Sequence, residues 1–297
     1  MARYISLFLL ILLPVFTLSC AKLSSMNLLG DDGLINESTI SAAKKSVTSV
    51  SKALEDITPE QEYYIGRAVG ANILTKYKIY KKRPEFTAYL NEICRTLTVN
   101  SPRPEIYNGY HVAILDTQEI NAFATSGGHI FITLGLIKST DSEDALAAII
   151  AHEVAHILLQ HGLKAIKSSR LTQALVSTGA LAATVATQNT NLAELTSIFD
   201  ESVNEIVTTM VNNGYSQSQE YDADENAVLL MAEAGYNPAN LIDMLRALER
   251  NQPSHSGGFN STHPSPTKRI SSAEKTVNSQ KVADTRSYRA TRYKAIM

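Results

Sequence analysis

The chain has 297 residues, 44% apolar and 19% charged, with a formal net charge of −2. That composition suits one large globular domain or two small ones, and it excludes a disordered or collagen-like chain. The near-balanced charge argues against a general nucleic-acid binder, and two cysteines cannot build a disulfide framework.

Residues 1–20 read as a signal peptide. Arg3 gives a positive start, and residues 5–18 are apolar apart from Ser6, Pro14 and Thr17. That run falls short of the ~20 residues a helix needs to cross a bilayer. Thr17-Leu18-Ser19-Cys20 resembles a bacterial lipobox, although Leu stands one place later than usual. Cys20 is therefore the expected lipidation site, tethering the chain to a membrane outside the cytoplasm. Ala21, rather than Asp, follows Cys20, which by analogy with enterobacterial sorting favours the outer membrane. Cys94 lies in an apolar helical pattern and is expected to be a buried core thiol.

Residues 21–57, rich in small and polar side chains, read as a spacer with a weak helix at 38–55. Thr58-Pro59-Glu60 starts a helix running to about Tyr77, and a second helix is expected from Pro84 to Leu97. The period then changes to two. Residues 110–116, 120–125 and 129–134 predict three short strands, with Ser126-Gly127-Gly128 as the tight turn before the third. A short helix at 135–138 precedes a long one from Glu143 to about Lys164, capped by Asp141 or Ser142. Residues 165–210 are open between a packed helical hairpin, a lid and a membrane-surface helix. Helices follow at 217–234 and 238–250, then a loop at 251–266 and a helix at 267–279. The tail, 281–297, is basic: from Lys268 onward eight Lys/Arg face only Glu274 and Asp284. It is expected to be solvated and loose.

His152-Glu153-Val154-Ala155-His156 is an HExxH motif inside an apolar helical pattern. Residues four apart stack on one helix face, so both histidines can bind one metal ion. Glu153 projects beside them as a base for a water molecule whose pKa a zinc ion lowers. A catalytic zinc wants a third protein ligand. The HExxHxxGxxH pattern fails, because Leu159 replaces the Gly and Gly162 the final His. Glu220, on a later predicted helix, is the expected third ligand. Asp224, four residues on, is expected to accept a hydrogen bond from a ligand imidazole.

These pieces resemble the M48 family of zinc peptidases, in its soluble lipoprotein branch. Asn121-Ala122-Phe123-Ala124, Gly127-Gly128-His129-Ile130, the HEVAH helix, Glu220-x-Asp222-Ala223-Asp224, and Thr262-His263-Pro264 with Arg269 arrive in that family's order, over about residues 58–280. The resemblance implies an α+β, mainly helical, zincin-like domain, with a small three-stranded sheet beside the HExxH helix and one Zn2+ per chain. It also implies that His263 approaches the metal, as a fourth ligand in a resting state or as an oxyanion donor. Arg269 is expected to line the site and to stabilise developing charge or substrate. The strand at 129–134 is expected to form the edge of the cleft, with Asn121, Gly127, Gly128 and Ile130 shaping a substrate-binding strand site. The implied substrates are unfolded or misassembled envelope polypeptides. Two other readings remain open: a zinc-stabilised, self-inhibited chaperone-like module, and a hydrolase for non-peptide amides.

Overall fold

A computed structural model describes residues 59–165, 203–250, 262–263 and 266–297. The signal segment with Cys20, the spacer, most of 165–210 and most of the 251–266 loop lie outside the described residues. Among the described residues, eight principal α-helices and three strands follow in chain order. They are α1 (Pro59–Lys76), α2 (Pro84–Thr98), β1 (His111–Leu115), β2 (Ala122–Ala124), β3 (His129–Thr133), α3 (Leu134–Lys138), α4 (Glu143–Leu158), α5 (Gln217–Glu233), α6 (Ala239–Arg250), α7 (Pro266–Ser279) and α8 (Arg286–Ile296). The architecture is α+β and mainly helical, as expected. No helix among the described residues is long and apolar enough to cross a membrane.

Local chemistry sets the boundaries. Pro84 opens α2. The Ser142 side chain accepts the Ala145 N–H and caps α4, whose first turn carries Glu143 and Asp144. Ser216 and Gln219 form a reciprocal capping box at α5. Gly235, at φ +78°, ends α5 in a conformation that an L side chain rarely adopts.

α4 is the central element. It packs against α2, α5, α6, α8 and the strands β2 and β3. Every residue of α4 except Leu158 is buried. Its aliphatic residues join those of α2, α5 and α6 in the main core, around Leu90, Ile130, Ile150, Val228 and Leu245. A second core forms where α1 meets the other face of the sheet, around Val69, Ile73, Phe123 and Phe131.

Three expectations need correction. First, the strand order is β1-β3-β2, with β1 parallel and β2 antiparallel to β3. β3 is thus the central strand and offers no free edge; Ile130 is wholly buried in the core. Gly127 and Gly128 serve packing. A Cβ on Gly66 of α1 would lie 2.0 Å from the Gly127 nitrogen, and a Cβ on Gly128 would lie 2.5 Å from the Gly109 carbonyl oxygen. Second, α4 stops at Leu158 rather than continuing to Lys164. Gln160 has φ +54°, and a new helical turn starts at His161.

Third, the basic end is not a loose tail. α8 lies on the first turn of α4. Arg289 donates to Asp144 Oδ2 at 2.8 Å and to the Gly235 carbonyl at 3.0 Å. Arg292 donates to both oxygens of Glu143, which also accepts the Tyr89 hydroxyl at 2.7 Å. Asp144 Oδ1 accepts the Asn237 N–H at 2.7 Å. Removing one partner of a buried ion pair leaves the other charge stranded. Arg289→Ala is therefore expected to cost about 3 kcal/mol, read as a lower denaturant midpoint; a midpoint equal to wild type would show that α8 does not brace α4.

Candidate metal centre

Two helices supply most of the site. α4 presents His152 and His156 one turn apart. α5 crosses it and presents Glu220 and, one turn on, Asp224. All four are buried. Thr262-His263 approaches from the segment before α7, and α7 supplies the buried Arg269.

Donor atoms of His152, His156, Glu220 and His263 all lie within 4.8 Å of one another. His152 Nε2 is 3.1 Å from His156 Nε2 and 3.3 Å from His263 Nδ1. His263 Nδ1 is 3.0 Å from Glu220 Oε1. His152 Nε2 and His156 Nε2 are each 3.5 Å from an oxygen of Glu220. Metal bonds of ~2.0–2.1 Å arranged tetrahedrally imply donor–donor edges of roughly 3.3 Å. The five spacings given above, from 3.0 to 3.5 Å, lie around that value. Charge agrees: the buried carboxylates of Glu153, Glu220 and Asp224 against the one guanidinium of Arg269 leave two negative charges when the imidazoles are neutral. One divalent cation balances them.

Each donor is held from behind. Asp224 Oδ1 lies 3.0 Å from His152 Nδ1, the hydrogen bond expected from spacing. Arg269 donates from Nε and Nη2 to the two oxygens of Asp224, both at 2.7 Å, and pairs through Nη1 with Glu220 Oε2 at 2.8 Å. Its guanidinium is turned to these carboxylates, which corrects the expectation that it faces substrate. Burial and Arg269 press the His152 imidazole toward neutrality, but the hydrogen bonds of Asp224 and Glu220 prevail and hold its pKa up to about 9. Burial would raise the Glu220 carboxyl, yet His263 and Arg269 keep it well below the usual carboxylate range. Burial, then the neighbouring His152, pushes His156 far down.

Glu153 points beside the donor cluster. Its Oε1 lies 3.7 Å from His263 Nε2 and has no hydrogen-bond partner among the described residues. Burial raises its pKa. A buried carboxylate oxygen left open in this way is suited to receive a proton.

Thr262 ties the histidine-bearing segment to the sheet. Its hydroxyl donates to Asn121 Oδ1 at 3.2 Å, and its carbonyl accepts the Tyr215 N–H at 3.1 Å. Asn121 is buried just before β2 and holds this segment from within. The sequence alone makes His161 a structural or surface residue and gives Tyr215 no role, yet both are buried against His156. Tyr215 stacks on His156, with ring centroids 4.2 Å apart and planes 20° apart. His161 Nδ1 sits 2.9 Å from His156 Nδ1. The signal for His161 was three histidines within ten residues; Tyr215 left none.

Several known proteins resemble this chain in sequence. The sequence model of peptidase family M48 matches residues 84–277. The beta-barrel assembly-enhancing protease of Yersinia pestis is 26% identical over 203 residues, covering 67% of this chain and 40% of that protein. The mitochondrial metalloendopeptidase OMA1 of Schizosaccharomyces pombe is 27% identical over 63% of this chain and 52% of its own length. Metalloprotease LoiP of Escherichia coli (strain K12) is 26% identical over 66% of this chain and 72% of its own. The chain thus spans about two fifths of the first of these relatives. With a family match that takes in α2 through most of α7, and so the helices that carry this buried cluster, the chain belongs to peptidase family M48.

Proposed function

We propose that this chain is a zinc-dependent endopeptidase that cleaves misfolded or misassembled cell-envelope polypeptides. The observation that carries the reading is the four-donor cluster with the open Glu153 oxygen beside it. His152, His156 and Glu220 would hold the zinc. Zinc bound there would polarise a peptide carbonyl and lower the pKa of an attacking water toward ~7. Glu153 takes the proton of that water and hands it to the leaving amine. Asp224 and Arg269 hold His152 and Glu220 in place. An extended substrate is expected along β2, which among the described residues pairs with β3 alone.

His263 favours a resting, self-blocked state. Its Nδ1 occupies the fourth corner of the donor set, where water or substrate would bind. This keeps the chaperone-like module as a second reading, with hydrolysis latent behind His263. The names of the bacterial relatives and the lipobox-like Cys20 support an envelope location, with Cys20 lipidated on the periplasmic side of an outer membrane.

Glu153→Gln is expected to lower turnover of unfolded casein by ~10²–10⁴-fold at unchanged zinc content; undiminished cleavage would sink the assigned role. His263→Ala is expected to cleave faster than wild type, and slower cleavage would assign His263 to the reaction rather than to blocking it. Zinc binding should depend on pH. The metal requires a neutral His152, whose metal-free pKa is about 9. Zinc affinity is therefore expected to fall roughly tenfold per pH unit below that value as a proton competes for the ring. Competition titrations from pH 8 to pH 6 check this, and a flat profile would contradict it.

A further inference from the structure

His152 and His156 are supported differently. Behind His152 stands the carboxylate of Asp224. Behind His156, among the described residues, stands a second imidazole, that of His161. His156 turns Nε2 toward His152 and Glu220. With Nε2 kept free as a donor to metal, the ring's proton belongs on Nδ1, and whatever faces Nδ1 must accept it. His161 Nδ1 faces it at 2.9 Å.

The backbone is bent to make this contact. On an unbroken helix, a residue five places after His156 would lie about 140° around the axis and face elsewhere. Gln160, at φ +54°, breaks α4 and turns His161 back toward His156. Left-handed backbone at a non-glycine residue is unfavourable and persists where surroundings enforce it. Here Gln160 Nε2 donates to Glu62 Oε2 at 3.4 Å, and Lys164 N–H closes a new turn on the Gln160 carbonyl at 2.9 Å. Gly162 fits the following position, where a Cβ would meet Ser126 Oγ at 3.1 Å. Packing alone does not explain a histidine here. Its ring is buried, and its Nε2 has no hydrogen-bond partner among the described residues. A leucine would fill the space without that cost.

We infer that His161 is a positioning residue for the metal centre: its Nδ1 accepts the Nδ1–H of His156 and fixes that ring with Nε2 directed at the other donors. The stacked Tyr215 ring restrains the same imidazole from its face. The inference rests on the metallopeptidase reading above. Because an imidazole is neutral where Asp224 is charged, His161 orients its ligand without adding a further negative charge to the site.

The test compares His161→Leu with His161→Asn in the full chain. Asn places an oxygen acceptor near the former Nδ1; Leu fills the space and accepts nothing. Zinc affinity is measured by chelator competition, and the visible spectrum of the Co2+-loaded protein reports ligand geometry. His161→Leu is expected to weaken zinc binding by ~10–100-fold and to shift the Co2+ bands, with His161→Asn staying within about threefold of wild type. Equal losses in both variants would make His161 a packing residue and overturn the inference, as would full affinity in His161→Leu. Wild type that takes up no zinc, or keeps its affinity in His152→Ala, would overturn the metallopeptidase reading itself and the inference with it. The wild-type and His152→Ala arms therefore separate the two failures.

Discussion

A helix buried along nearly its whole length can carry charged side chains only where other elements answer most of them. α4 carries Glu143 and Asp144 at one end and His152, Glu153 and His156 toward the other, all removed from water. Stranded charge in that setting costs several kcal/mol per group. The partners that prevent this come from elements distant in sequence. α8 brings Arg289 and Arg292 to the acidic end; α5 and α7 bring Glu220, Asp224 and Arg269 to the other. Much of the helical arrangement can be understood as the placing of these counter-groups around one helix.

The two ends solve the problem differently. At the first turn, cations meet carboxylates in pairs, and the result is a brace. At the histidine end, Arg269 bridges Glu220 and Asp224 but leaves carboxylate charge in excess. A fixed protein cation in that place would close the centre permanently. A surplus of buried negative charge with nitrogen donors around it suits an exchangeable cation, and a metal bound there would add to the stability of the fold.

Much of this was legible from residues. HExxH, the four-residue spacing of Glu220 and Asp224, and the change of period near Tyr110 each follow from local geometry, and the elements they predict are present. What stayed hidden depends on pairing at a distance. Alternation places a strand but does not say which strand lies between the others, so from sequence alone β3 reads as an edge. α8 docks through arginines rather than an apolar stripe, and composition reads such a segment as solvated. The turn at Gln160 has no glycine to announce it. Arg269 carried the right address but the wrong direction: motif order brings it to the centre, and only the positions of two carboxylates show which way its guanidinium faces.

The strand order also constrains how the sheet assembles. β1 precedes β2 in the chain, yet β3 separates them. A meander growing strand by strand cannot produce this arrangement, because β3 has to occupy a place between its two predecessors. β2 and β3 are joined by the short turn through Gly127-Gly128 and can close early as a hairpin, since local loops close with little entropic cost. β1 pairs in parallel with the far side of β3 and is tied to α2, whose Asn91 holds both the amide and the carbonyl of Val112. The turn that joins β2 to β3 is also the surface on which α1 rests, so a side chain at Gly66 would push the helix away from the hairpin.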